Sequence, residues 1–172
     1  FHRPRKILRH KIGTSVKNDE LIFEEKSEAF TVGIGLSSDE KYFFIFSSDH
    51  NTTEQYYFGA SEEIPKPKLI KERKKGIIYS VNSWDNFFYN HTNENAEDFK
   101  IDKCKDLINQ NWDSYIPAKN EVLIGGLTFL NNWILRGEIS NALSKIFVKN
   151  IKTNLEEEIK FINEKVIVPS IS

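Results

Sequence analysis

Ser38-Asp39-Glu40-Lys41-Tyr42-Phe43-Phe44 is a short polar turn that runs directly into aromatic residues, and the chain uses the same device twice more. It returns as Ser83-Trp84-Asp85-Asn86-Phe87-Phe88-Tyr89 and as Leu130-Asn131-Asn132-Trp133-Ile134-Leu135. Tyr42, Phe87 and Trp133 stand 45 and 46 positions apart. Asn51, Asn95 and Asn141, each opening the next strand-like run, lie 44 and 46 apart. Leu21-Ile22-Phe23, Leu69-Ile70, Tyr115-Ile116 and Phe161-Ile162 keep nearly the same interval. A fixed period of roughly 40 to 50 residues with several short strands in each period is the pattern of a β-propeller.

The period predicts an all-β fold and assigns its boundaries. Residues 5–12 and 19–26 read as the last two strands of an incomplete blade spanning 1–26. A blade at 29–72 follows, with strands at 29–37, 41–48, 53–59 and 67–72. The next, at 76–118, uses 76–83, 86–92, 98–104 and 112–118. The last full one, at 122–163, uses 122–130, 133–139, 144–151 and 157–163. Residues 166–171 read as the opening strand of a further, incomplete blade at 166–172. In Phe30-Thr31-Val32-Gly33-Ile34-Gly35-Leu36 the apolar residues fall on every second position, as a half-buried strand requires. Tyr42-Phe43-Phe44-Ile45-Phe46 is apolar on both faces and reads as a strand sandwiched between blades. Gly33 and Gly35 sit where a neighbour is expected to approach closely.

A period of 46 enters 172 residues about 3.7 times, whereas closed propellers need roughly four to eight blades. The chain begins at Phe1 and contains no Met, so it reads as a piece of a longer protein, one partial propeller domain from 1 to 172. A net charge of −1 gives no general attraction to nucleic acid or to anionic membrane. No apolar stretch approaches the ~18 residues of a membrane span, and no signal peptide is visible. The single Cys104 fits a reducing, cytoplasmic setting. The sequons at Asn51 and Asn90 then read as chance occurrences.

Candidate chemistry is sparse. Trp84-Asp85 is not repeated by its counterparts Asp39-Glu40 and Asn131-Asn132, so it reads as a turn beside an aromatic strand. Ser38 and Lys41 suggest a sialidase-type turn, but the glycine of that turn is missing and the pattern does not recur. Lys66–Lys75 is the one basic cluster and, bracketed by Pro65, Pro67 and Gly76, reads as a solvated connection rather than a docking patch. His2, His10, His50 and His91 show no metal-ligand spacing. Lys103 and Lys105 flank Cys104 and would favour its thiolate, yet its place in a strand reads as ordinary. Gly33, Gly35, Gly125 and Gly126 flank no serine in a Gly-x-Ser-x-Gly elbow. The reading is therefore no catalytic, cofactor-binding or metal-binding residue in this chain.

One stretch carries a family resemblance. Arg3-Pro4-Arg5-Lys6-Ile7-Leu8-Arg9-His10-Lys11-Ile12-Gly13-Thr14 resembles the Arg-Pro-x-Lys-Val-x-Arg-His-x-Leu-Gly-Thr run of the oligopeptidase B (protease II) group, in the prolyl oligopeptidase family of serine peptidases. Leu21-Ile22-Phe23-Glu24-Glu25-Lys26 and Phe30-x-Val32 continue at the family's spacing, followed by Tyr42-Phe43-Phe44-Ile45, Ile78-Tyr79-Ser80 and Gly126-Leu127-Thr128-Phe129. Arg5 replaces a common Tyr, Gly125 stands where an acidic residue is usual, and Ala142 where Gly is frequent. The resemblance implies a seven-bladed propeller over a C-terminal α/β-hydrolase domain of the same parent chain, the propeller limiting access to short peptides cut after Lys or Arg. The catalytic Ser, Asp and His of that family belong to the hydrolase domain, so none falls on a residue here. Two other readings share the sequence: a stand-alone protein-interaction propeller, and a remnant of a split peptidase gene.

Overall fold

A computed structural model describes residues 3–160 of the chain. A two-stranded antiparallel sheet comes first, β1 (Lys6–Arg9) with β2 (Glu20–Glu24), joined across a single 3-10 turn at Val16–Asn18. Three four-stranded antiparallel sheets follow. They are β3 (Thr31–Leu36), β4 (Tyr42–Ser48), β5 (Thr53–Gly59), β6 (Lys68–Lys71); β7 (Tyr79–Trp84), β8 (Phe87–Thr92), β9 (Lys100–Cys104), β10 (Asp113–Ile116); and β11 (Val122–Leu130), β12 (Trp133–Ser140), β13 (Leu143–Asn150), β14 (Glu156–Glu158). Within each sheet every strand pairs with the next strand in the chain, and among the described residues no sheet closes on itself. This is an all-β, partial β-propeller.

The repeat anchors are where strands begin. Tyr42, Phe87 and Trp133 are the first residues of β4, β8 and β12. The turns that feed β8 and β12 are two residues long and the one that feeds β4 is five, and each places backbone on the left-handed side. Glu40 (φ 59°), Asp85 (φ 50°), Asn86 (φ 62°) and Asn131 (φ 26°) supply it. Asn and Asp tolerate that region better than most residues, which accounts for the amide and acidic character of all three turns. Asn141 (φ 50°) and Ala142 (φ 61°) make the equivalent turn between β12 and β13.

Two aromatic-rich seams weld the four-stranded sheets. Between the first and second of them, Phe44, Ile70, Tyr79, Val81, Phe88, Cys104 and Leu107 form one buried cluster, with Tyr42 and Phe88 rings 5.1 Å apart. Between the second and third, Tyr89, Ile101, Ile116, Ile124, Phe129 and Ile134 form another. The alternation along β8 serves both: Phe88 faces one seam and Tyr89 the other. Burying each such side chain stabilises the stack by about 1.5–3 kcal/mol.

Some expected boundaries shift. β1 ends at Arg9, β7 starts only at Tyr79, and β14 is three residues long. Pairing ends where the partner strand bends away: register shifts mark β1–β2, β5–β6 and β9–β10. Phe46 was expected to be sandwiched but is 44% exposed, with its ring packed against its pairing partner Gly33. A Cβ on Gly33 would stand 2.3 Å from that ring, so here a glycine is a steric necessity. Gly35, by contrast, faces open space. The strand expected at 166–171 and the anchor Phe161-Ile162 lie outside the described residues.

Candidate functional site

The turns joining the first two strands of each sheet gather on one rim, and the sheets are latched there by polar contacts. Asp39 is the centre of the first latch. Its carboxylate accepts from Ser37 Oγ (2.7 Å) and from Ser83 Oγ of the next sheet (2.8 Å). Its N–H donates to the Ser83 carbonyl at 3.3 Å. Asn82 and Ser38 add a reciprocal pair: Ser38 N–H to Asn82 Oδ1 (2.9 Å) and Asn82 Nδ2 to Ser38 Oγ (2.8 Å). A shallow cleft of about 290 Å³ opens beside this latch, lined by Asp39, Trp84, Asp85, Asn131, Asn132 and Lys152 among others. Trp84 closes it from below by stacking on Phe129 at 5.7 Å. These groups can hold a turn in place; no nucleophile and base are paired among them.

The sheets also carry two ionic clusters. Arg73, in the connection from β6 to β7, donates through Nη2 to Glu25 Oε2 (2.7 Å) and to Glu54 Oε1 (2.8 Å). Its guanidinium lies 4.1 Å over the Phe30 ring. Glu25 also accepts from Ser47 Oγ (2.6 Å) and Ser27 N–H (2.7 Å), and Glu54 from Tyr56 OH (2.7 Å) and Arg73 N–H (3.0 Å). Burial pulls both carboxyl pKa values upward, but these donors outweigh it, and both finish below the ordinary carboxylate value. Burial and the neighbouring Glu54 push the Tyr56 phenol up to about 12.

The second cluster sits on the face of β12 that also carries Ile134. Arg136, with a side chain only 4% exposed, grips Glu156 through two parallel bonds of 2.8 and 3.1 Å. It also donates through Nε to Glu138 at 3.0 Å, and Glu138 takes a further bond of 2.6 Å from Lys119. The Phe147 ring lies 4.8 Å from the guanidinium. The Arg136 fork holds the Glu156 carboxyl below its ordinary pKa against the opposing effect of burial.

The residues singled out by the sequence fall as follows. Lys66–Lys75 is not a solvated connection throughout: Lys68–Lys71 form β6, Lys71 and Lys74 pair with Glu94, and Arg73 is drawn into the buried cluster. Cys104 closes β9, buried, and desolvation raises its pKa to about 11 in spite of its lysine neighbours. Lys103 turns instead to aromatic rings, with Nζ 4.9 Å from Phe87 and 5.1 Å from Tyr115. His10 meets Asp19 at 2.7 Å, and His91 meets the Ile124 carbonyl at 2.7 Å while stacking on Phe99. Neither ring is bonded to a serine among the described residues. Desolvation lowers the His91 pKa, which favours the neutral ring. His50 lies exposed near the β4–β5 turn, and His2 lies outside the described residues. Asn90 is buried within β8, out of reach of any glycosyl transfer to the folded chain, whereas Asn51 occupies the β4–β5 turn. Among the described residues no group of three or more His, Cys, Asp or Glu could hold a metal ion, and no helix is long and apolar enough to cross a membrane.

Sequence reasoning missed both ionic clusters. A signal for the second was present. In Ile134-Leu135-Arg136-Gly137-Glu138 the period of two places Arg136 and Glu138 on the same face as Ile134. Glu54-Gln55-Tyr56-Tyr57-Phe58 likewise puts Glu54 beside Tyr56 and Phe58.

Comparison with known proteins agrees with this geometry. The family model for the prolyl oligopeptidase N-terminal β-propeller domain matches residues 2–168. Protease 2 of Moraxella lacunata is 32% identical over 136 residues, which cover 72% of this chain and 20% of that protein. Dipeptidyl aminopeptidase BI of Pseudoxanthomonas mexicana is 22% identical over 147 residues, 84% of this chain and 20% of that one. The closed, antipain-bound oligopeptidase B of Trypanosoma brucei superposes with a TM-score of 0.85 at 21% identity, over 94% of this chain and 24% of that one. Oligopeptidase B of Leishmania major gives 0.84 at 17% identity, over the same 94% and 24%. The chain thus spans about 20% of the length of the curated relatives Protease 2 and dipeptidyl aminopeptidase BI. With a repeat of four-stranded sheets, aromatic seams between them and a family match along nearly its whole length, this chain belongs to the prolyl oligopeptidase N-terminal β-propeller family, as an oligopeptidase B-like segment.

Proposed function

We propose that this chain is the noncatalytic, substrate-gating propeller segment of a cytoplasmic serine oligopeptidase that cleaves short peptides after Lys or Arg. The observation that carries the reading is the run Arg3–Thr14, which matches the oligopeptidase B group residue for residue at most positions and opens a chain 32% identical to Protease 2. Among the described residues the polar partners of His10 and His91 are the Asp19 carboxylate and the Ile124 carbonyl, and no serine hydroxyl is bonded to either ring as a triad would have it. In this reading the C-terminal hydrolase domain of the same parent chain supplies the nucleophile, and the propeller excludes substrates too bulky to pass it.

The test compares residues 1–172 with the full-length parent on an Arg-containing chromogenic peptide and on a folded protein, with a serine-reactive inhibitor as control. Expected are no turnover by residues 1–172, and inhibitor-sensitive cleavage of the short peptide alone by the parent. Inhibitor-sensitive turnover by residues 1–172 would overturn the noncatalytic role. A parent that ignores basic peptides would overturn the assigned specificity.

A further inference from the structure

The three seams between sheets are not built alike. Both seams between four-stranded sheets are filled by apolar clusters, and neither cluster includes a residue of the two-stranded sheet. Among residues 3–30 the only buried side chain is Glu25. Everything else that the two-stranded sheet offers is half-buried or exposed, including Leu8 and Leu21. Across this first seam one aromatic contact stands out, Phe23 on Tyr56 at 4.7 Å. Polar ties join it: the Pro4 carbonyl with Val32 N–H at 2.9 Å, Arg9 with the Glu63 carbonyl at 2.7 Å, Ser47 with Glu25 at 2.6 Å, and the Glu25–Arg73–Glu54 cluster.

Arg73 is the keystone of that cluster, because its one Nη2 bridges a carboxylate from each side. Glu25 follows β2, and Glu54 opens β5. Arg73 itself comes from a third place, the connection that leads on to β7. Replacing it leaves Glu25 and Glu54, 5% and 8% exposed, facing one another with no cation between them. An uncompensated buried carboxylate is strongly disfavoured, and relief is at hand if the first sheet swings away and lets Glu25 reach water.

We propose that the seam between the two-stranded sheet and its neighbour is an ionic latch closed by Arg73, at which the first sheet separates as a unit while the other two seams stay shut. The latch differs from a general stabilising contact in where its loss is felt. Local opening free energies vary across a structure in cooperative units, and here the unit is β1–β2.

Amide hydrogen exchange on the intact protein reads this directly. With Arg73→Met, exchange in Lys6–Arg9 and Glu20–Glu24 is expected to accelerate on the order of tenfold to a hundredfold, with amides of β8, β9 and β12 unchanged. Glu25→Gln keeps the side chain's shape and a carbonyl oxygen for the Ser47 hydroxyl, and is expected to give the same regional pattern at smaller amplitude. It covers the case in which Arg73→Met does not fold. Uniform acceleration across all sheets in either folded variant, or no acceleration in β1–β2, would overturn the latch.

Discussion

Replacing Arg136 by Met asks what a buried guanidinium contributes when its carboxylates cannot both escape. Glu138 is 5% exposed and stays behind, but it keeps the 2.6 Å bond from Lys119. Glu156 is 31% exposed and can turn toward solvent. Removing one partner of a fully buried pair costs about 3–5 kcal/mol, and these two escapes place the expected loss near the lower end, about 3 kcal/mol. The lost stacking on Phe147 is part of that figure, at roughly 0.5–1 kcal/mol. Urea unfolding of wild type and variant at neutral pH measures it. With a slope of about 2 kcal/mol per molar, the midpoint falls by roughly 1.5 M. The pH dependence supplies an independent check. The folded Glu156 carboxyl titrates below its ordinary 4.5, so its contribution is fully present above that value and disappears as pH drops through the lower folded pKa. The advantage of wild type over the variant should therefore shrink as pH falls from 4.5 through the lower folded pKa of Glu156. A loss under about 0.5 kcal/mol at neutral pH, or a gap that is constant down to pH 2, would refute the assignment of Arg136 as the neutralising centre of that cluster.

Ala142 holds φ 61° on an exposed turn, so Ala142→Gly should stabilise the chain by about 0.5–1 kcal/mol, read as a higher thermal midpoint; an unchanged or lower midpoint counts against the turn geometry. Gly125→Ala places a Cβ 2.8 Å from the Gly137 carbonyl oxygen at the β11–β12 irregularity, which should cost about 1–3 kcal/mol in the same assay. Cys104, buried and with its pKa raised to about 11, should react with a disulfide reagent at pH 8 only at the rate of local unfolding; rapid labelling of the folded chain would show that the thiol is accessible.

What could be read from the sequence was local. A turn and the first aromatic after it are set within a few residues, so the starts of β4, β8 and β12 at Tyr42, Phe87 and Trp133 were legible. The Asp85-Asn86 turn announced itself by residues that accept positive φ. Ends were harder, because β14 stops where pairing with β13 stops, a property of the partner rather than of Glu156-Glu157-Glu158. Arg73 was hidden for the same kind of reason. Its partner Glu25 lies 48 residues away, and nothing around either residue marks the encounter. Its neighbours Lys74 and Lys75 made it look like one more solvated cation. Cys104 was read as an ordinary strand residue and lies in β9: adjacent lysines on a strand point to the other face, and Lys103 turns to Phe87 and Tyr115 rather than to the thiol.

The strand order within each sheet has a consequence for how the chain is made. Among the described residues, strands that are hydrogen-bonded neighbours within a sheet are consecutive in the chain, and none pairs back into an earlier sheet. Each sheet can therefore complete its own ladder once its forty or so residues have emerged, and then offers a finished wall on which the next one docks. Most loop closures needed along the way are short, so the entropic barrier to each is small for an all-β protein. Synthesis and folding can advance together, sheet by sheet.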